Sequence, residues 1–483
     1  MTALFNRQRQ PGRFIDPVDR PWVIGGFAGV AFLILLVAAL IDLSALDMWT
    51  GLIVFIVLLT ISVPLLGWVA RKEGDPWLFK VLYGALVVHL LFSIVRYFFI
   101  FGVYKGSGDA GRYHEAGVTF VDHLKAGVPL HPIKIMEGFP VESQRLGDFT
   151  GLIYTITGPS AYAGFFIYTF LCFGGLVLMV RAFKVAVPEG DYRRYTLLLM
   201  FLPSLLFWPA SIGKEALMIA CVGVIAYGGA LLLAPKPQAR GAVFFVVGTL
   251  LVTLVRPHVA LMSLVGLVLA MMVGVLTSPA ATERLGSRGR FLRVAALVVM
   301  LALASVVVSQ LGSALQEKGV DASASATLDK ATKQSAIGNS EFAPPAVTSP
   351  TKLPFGIVSV FFRPFPWEAR NMNSLIAAVE GLILAAVFAL SWRRLLSFPK
   401  LAARRPYLVF CMAYVVAFVI GFSFLANFGI LARQRVQALP ALLVLVALPA
   451  VVSKGRARVE PQATGDTLSA VAQTDGALLE AHP

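Results

Sequence analysis

The chain reads as an all-α, polytopic transmembrane bundle, and three observations predict that class. Of its 483 residues, 58% are hydrophobic and only 14% charged, with a mean hydropathy of +0.78. Soluble domains average about 45–50% apolar and about 25% charged residues. Apolar stretches close to the roughly 20 residues that a bilayer-crossing helix needs recur along the whole length. Lys and Arg gather in alternate short connections between those stretches, as the positive-inside rule requires. The same composition excludes a disordered chain, a collagen and a disulfide-rich secreted scaffold. The net charge of +15 is therefore assigned to membrane orientation, with no nucleic-acid partner. Cys172, Cys221 and Cys411 lie in apolar stretches without metal-ligand spacing.

Taken in order, a cytoplasmic segment 1–21 carries Arg7, Arg9, Arg13 and Arg20 ahead of the first stretch, 22–41. That stretch is too long for the h-region of a signal peptide. Stretches 51–70 and 77–104 follow, and then an outer loop, 105–159. The bundle continues through 160–181, 195–211, 215–234, 241–256, 259–277 and 292–312. A long outer loop, 313–373, begins with Ser, Ala, Thr and Lys, which predicts a flexible portion, and ends in an aromatic, proline-locked portion around Phe361–Trp367. Stretches 374–392, 406–426 and 436–453 complete twelve spans, and a patternless polar tail, 454–483, is expected to be disordered. With both termini cytoplasmic, more than half of the 41 basic residues fall on the inner side.

Five groups of polar residues then stand out, each at the outer end of a span or in an outer loop. They are Asp109 with Arg112, Tyr113 and His114; Lys214 with Glu215; Arg256 with His258; Arg363 with Trp367, Glu368 and Arg370; and Asn427 with Arg433 and Arg435. Each has a structural reading beside the functional one. Asp109 is placed to cap a helix after Gly106-Ser107-Gly108, and Lys214–Glu215 to form an interfacial ion pair. Arg256-Pro257-His258 would serve as a helix stop with a snorkelling arginine. Arg363, Trp367 and Arg370 would anchor a loop at headgroup level. Arg433 and Arg435 are harder to explain so, because two arginines in a short outer loop run against the positive-inside rule. His89 reads as a packed core residue, and Arg96 as a snorkelling or functional cation within a span.

The functional reading rests on arginine chemistry: a planar fork that binds phosphate through paired N–H donors and stays charged. Several such groups around a cleft would hold a phosphate leaving group, and a nearby carboxylate would deprotonate an acceptor hydroxyl. The chain contains no P-loop, H-E-x-x-H or G-x-S-x-G, which argues against ATP-driven transport and membrane metalloproteolysis.

The stretch Gly108-Asp109-Ala110-Gly111-Arg112-Tyr113-His114-Glu115-Ala116-Gly117, with Gly127-Val128-Pro129 beyond it, resembles the first outer loop of GT-C superfamily glycosyltransferases. Their pattern runs D-x-x-x-Y-x-x-A, with a G-x-P some residues further on. In those enzymes the aspartate follows the first span; here it follows the third. Phe207-Trp208-Pro209 and Asn427-Phe428-Gly429 are similar to pieces of bacterial surface-polysaccharide assembly proteins. The resemblance implies an inner-membrane enzyme facing the periplasm, with Asp109 as catalytic base and a place there for a divalent metal, Mg or Mn. It implies a polyprenyl-phosphate-linked sugar as donor, a glycan or lipid-linked acceptor, and membrane lipids as surroundings. An O-antigen-type polymerase or ligase using polyprenyl-pyrophosphate glycans, and a lipid-linked sugar transporter or flippase, stand as alternatives.

Overall fold

The computed structural model describes residues 46–128, 141–277, 340–370 and 372–451, with scattered positions in 29–36, 302–309 and 332–336. The expected spans 22–41 and 292–312, the segment 1–21, most of the flexible portion of the second loop, Pro129 of the G-x-P piece and the tail 454–483 lie outside the described residues. Among the described residues every regular element is helical and no strand is named; one isolated backbone bridge joins Glu341 to Asn427.

The first helix described in full is α1, Leu46–Glu73, whose Ile53, Ile56, Val57 and Ile61 point outward. An outward apolar stripe of this kind matches hydrocarbon rather than water. Gly74 turns the chain, and the Asp75 carboxylate accepts the Trp77 N–H at 3.0 Å, with Pro76 as the first residue of α2, Pro76–Tyr97. A π-turn, Phe98–Val103, extends α2. Two helices, α3 (Asp109–Lys125) and α4 (Val141–Thr157), pack together as a hairpin. The segment 105–159, expected as an outer loop, is thus largely helical. The sequence of α3 is amphipathic, and it buries Ala110, Tyr113, Ala116 and Val121 along one face.

Ser160 caps α5 (Ala161–Ala186), accepting the Ala163 N–H at 3.1 Å. Where a single span over 195–211 is expected, the chain forms α6 (Tyr192–Phe201) and α7 (Pro203–Phe207). Pro203 has no N–H with which to continue the helical ladder, so the helix restarts there. The bundle continues with α8 (Lys214–Leu233), α9 (Ala239–Val255) and α10 (Pro257–Thr277). Next come α11 (Leu353–Phe362), α12 (Met372–Leu390), α13 (Trp392–Leu395), α14 (Phe398–Arg404), α15 (Pro406–Phe422), α16 (Phe428–Gln434) and α17 (Leu439–Leu443). The aromatic part of the second long loop is thus partly helical, in α11.

Five helices among the described residues are long and apolar enough to cross a membrane: 47–73, 76–103, 161–186, 214–233 and 257–274. Two pairs bent by 62°, 374–390 with 392–404 and 428–437 with 439–447, would raise the number to seven. The centre of the bundle is α5 against α8, with α9 on the other side of α8. At Gly223 a Cβ would lie 2.5 Å from the Cα of Gly175, and at Gly175 one would lie 2.6 Å from the Cα of Ala220. Small residues let helix backbones touch in this way, which is how apolar helices associate without a hydrophobic driving force between them.

Charged side chains fall into two sets. Glu73 pairs with Arg181, Asp75 with Arg193, Asp191 with Arg394 and Glu189 with Arg405. Asp109, Glu215, Arg256 and Arg433 form the other main group, with Arg363–Glu368 and Arg435–Glu380 as separate pairs. Among the described residues no ion pair joins the first set to the others. The first consists of residues expected in inner connections, and the main second group of residues expected at outer ends.

Candidate functional site

Four separate stretches of chain meet at one point. Gly108, with φ of 124°, adopts a backbone conformation that a side chain would resist, and it lets α3 start with Asp109 as its first residue. Asp109 therefore does not cap the helix, contrary to the structural reading of the sequence. Its Oδ2 instead accepts Nη2 of Arg433 at 2.6 Å, and its side chain remains 41% exposed. Lys214 and Glu215 open α8 just after Gly213. Arg256 sits at the corner where α9 ends and Pro257 starts α10, and Arg433 lies in the last turn of α16.

Glu215 is the hub. Its Oε1 accepts Nη2 of Arg256 and Nε of Arg433, both at 2.9 Å, and the residue is only 4% exposed. Charge-assisted bonds of this kind hold both forks in fixed directions. Arg256 Nη1 also donates to Gln434 Oε1, which in turn accepts Gln437 Nε2 at 2.9 Å. Lys214 Nζ donates to Ser143 Oγ at 3.0 Å. Tyr113 is buried beside Ser143; burial pushes its phenol up to about 12, although the hydrogen bond to Ser143 pulls the other way. The phenol is neutral at physiological pH and serves as a donor or acceptor rather than a base.

The other expected site residues divide. His114 turns away, its Nδ1 2.7 Å from the Tyr154 hydroxyl, and burial lowers its pKa so that the imidazole is neutral. Arg112 is on the exposed face of α3. His258 packs near Phe422, with ring centroids 5.7 Å apart. Arg363 grips Glu368 through two nitrogens, lies 4.6 Å from the ring centroid of Phe342, and forms a second cluster with Phe428. Trp367 is 79% exposed and stacks on Phe365, while the backbone N–H of Arg370 donates to Ser374 Oγ at 3.1 Å. Asn427 caps α16, accepting the Ile430 N–H at 3.1 Å.

Arg435, expected to bind phosphate, is 1% exposed and does not join Asp109. Its Nη1 donates to the carbonyls of Phe361 and Arg363, and its Nη2 to Glu380 Oε2 at 3.0 Å. Glu380 also accepts the N–H of Ser204 at 2.7 Å and its hydroxyl. Enclosure and these partners make Arg435 a tie between α12, α7 and the aromatic segment. Glu380 was missed in the sequence, although a lone carboxylate within an apolar helix is a signal in itself. Gln434 was missed because its neighbours are the more conspicuous residues.

An apolar cavity of about 420 Å³ lies beside the cluster, between α4, α5, α8 and α9. Its walls include Phe149, Gly174, Leu178, Leu217 and Leu254, with Glu142 and Arg145 among its few charged residues. It approaches the cluster in sequence at both ends: Glu142 adjoins Ser143, and Val255 adjoins Arg256. Arg145 Nη1 donates to the Leu254 carbonyl at 3.3 Å.

Among the described residues no group of three His, Cys, Asp or Glu side chains is placed to hold a metal ion. The position between Asp109 and Glu215 is taken by the Arg433 guanidinium, which bonds to both carboxylates. These residues do not fit a protein-held divalent cation. Comparison with family models, curated proteins and solved structures finds no match for the chain.

Proposed function

We propose that the chain is an integral membrane glycosyltransferase that takes a sugar from a polyprenyl-phosphate-linked donor at the outer face of a bacterial plasma membrane. On this reading the chain crosses the membrane twelve times with both termini cytoplasmic, and 105–159 and 313–373 face outward. The sugar acceptor is a glycan or a lipid-linked glycan of cell-surface polysaccharide assembly. The observation that carries the reading is the contact between Asp109 and Arg433, which are far apart in sequence and 2.6 Å apart in space. A partly exposed carboxylate directed by a phosphate-binding guanidinium is the minimum equipment for glycosyl transfer from a lipid phosphate.

Asp109 would deprotonate the acceptor hydroxyl, while Arg256, Arg433 and Lys214 offset the charge that develops on the departing phosphate. The apolar cavity beside them would take part of the isoprenoid chain. Lipid-linked sugar turnover by the purified protein tests the reading. Asp109→Asn is expected to lower turnover by about 10²–10⁴-fold, the usual contribution of a positioned base. Arg433→Ala is expected to lower it as well; wild-type turnover by both variants, at equal protein level, ends the proposal.

One observation favours a second reading, a lipid-linked sugar transporter. The pair 428–437 and 439–447 is bent by 62° at Ala438, about one turn beyond Arg433, and broken helices near charged residues are a device of transporters. Sugar-lipid movement between leaflets without hydrolysis or transfer would select that reading.

A further inference from the structure

The charges of the cluster do not balance. Asp109 and Glu215 are matched against Lys214, Arg256 and Arg433, and a fourth cation, Arg96, stands at the same end of the bundle. Arg96 belongs to the last turn of α2 and is within electrostatic reach of both Glu215 and Arg433. Its guanidinium lies over two aromatic rings, 4.7 Å from the centroid of Phe207 and 5.1 Å from that of Trp208. Its Nε is enclosed without an acceptor, and no carboxylate pairs with it among the described residues. Lys214 likewise has the Ser143 hydroxyl as its bonded partner and no carboxylate at ion-pair distance among the described residues. Glu142, which lines the adjoining cavity, is within electrostatic reach of Lys214.

With Glu142 counted beside Lys214, four cations face three carboxylates, and Arg96 is the cation left over. Enclosing a cation without an opposite charge is costly, so an arrangement that keeps one in place points to a ligand that completes it. The rings of Phe207 and Trp208 hold the guanidinium by cation–π attraction, which uses none of its N–H donors.

We propose that Arg96, at the edge of the Glu215–Arg433 junction, is the receptor for a phosphate group. This deepens the reading above, on which it rests, by naming the side chain that holds the anion. The paired guanidiniums of Arg256 and Arg433 then direct Asp109 and Glu215, and Arg96 is a binding residue that makes no bond to either carboxylate. The phosphate can belong to a lipid headgroup or to a free anion, and the experiment separates the two.

The full chain in nanodiscs is titrated with a long-chain polyprenyl monophosphate, with the corresponding uncharged polyprenol and with inorganic pyrophosphate, following tryptophan emission. The monophosphate is expected to bind saturably, and Arg96→Met to weaken it by about tenfold or more, as loss of a charge-assisted pair implies. Arg96→Lys is expected to fall between the two. Polyprenol binding and the unfolding temperature of the unliganded protein are expected to stay unchanged in Arg96→Met, which a merely structural arginine would not allow.

Arg96-dependent binding of pyrophosphate alone would support the receptor and assign it to a free anion. Equal monophosphate and pyrophosphate affinity in the parent and in Arg96→Met overturns the proposal. If that variant does not yield monodisperse protein, equal affinity in Arg96→Lys overturns it. Arg96-dependent phosphate binding without sugar transfer would leave this inference standing and remove the glycosyltransferase; sugar transfer with phosphate affinity indifferent to Arg96 would do the reverse.

Discussion

Glu215 and Asp109 both touch Arg433, yet substitution should separate them. Glu215 is buried and neutralises two guanidiniums, so Glu215→Gln strands both charges inside the protein. Breaking a buried pair by removing one partner costs about 3–5 kcal/mol. Thermal unfolding in detergent should show that loss for Glu215→Gln and little change for Asp109→Asn, whose side chain is 41% exposed. A second residue-scale expectation concerns Glu368. Burial would raise its pKa, but the hydrogen bonds from Arg363 and from the Phe365 backbone outweigh burial and hold it below the ordinary carboxylate range. A depressed carboxylate contributes stability that is complete above the unfolded pKa and is lost as pH falls through the folded one. The emission of Trp367 should therefore hold steady from neutral pH to about 4.5 and change only below it. In Glu368→Gln that acid transition should vanish.

Among the elements, the contact of α5 with α8 is the least tolerant. Gly223→Val sets side-chain atoms against the backbone of Gly175, with 2.5 Å from Cβ to Cα before any further atom is added. Overpacking typically costs about 1–3 kcal/mol, and backbone on both sides leaves nothing to yield, so the loss should reach or exceed that range. Size-exclusion chromatography should show aggregated protein. Gly174, one residue from that contact, has nothing within 4 Å of the place a Cβ would take, and it lines the apolar cavity. Gly174→Leu should give folded, monodisperse protein that has lost affinity for long-chain lipid but not for pyrophosphate. Two neighbouring glycines would then report separately on assembly and on cavity occupancy.

At the scale of the whole molecule, the separation of charge into two sets makes a topological prediction. Arg112 and Glu189 are exposed residues, one beside the Asp109 cluster and one in the Glu73 set. The native cysteines are buried. In intact cells a membrane-impermeant maleimide should label Arg112→Cys readily and Glu189→Cys only after permeabilisation. The reverse pattern would invert the proposed orientation.

Much of this organisation was legible in the sequence. The apolar runs marked the long helices to within a few residues, because hydrocarbon imposes a length that composition reveals. Asp109, Glu215, Arg256 and Arg433, all expected at outer ends, are joined by ion pairs, whereas Arg363 and Arg435, expected there too, pair elsewhere. What the sequence did not reveal is which arginine faces which carboxylate. Arg433 and Arg435 look alike in a linear reading, but the helical turn sends one to Asp109 and the other to Glu380. The α3–α4 hairpin was hidden for a related reason: its helices are half polar, and a hydropathy ruler passes over them.

The double attachment of Glu215 has one more consequence. Arg256 lies 41 residues beyond it and Arg433 a further long way along the chain, at a separation of 218. During synthesis the first arginine emerges with the helices that surround Glu215, whereas the second arrives only with α16. A chain that terminates before α16 can form the first half of the junction but leaves Asp109 without its guanidinium. Formation of the whole junction thus waits for α16: until it is made, Glu215 can hold Arg256 while Asp109 stays without its guanidinium.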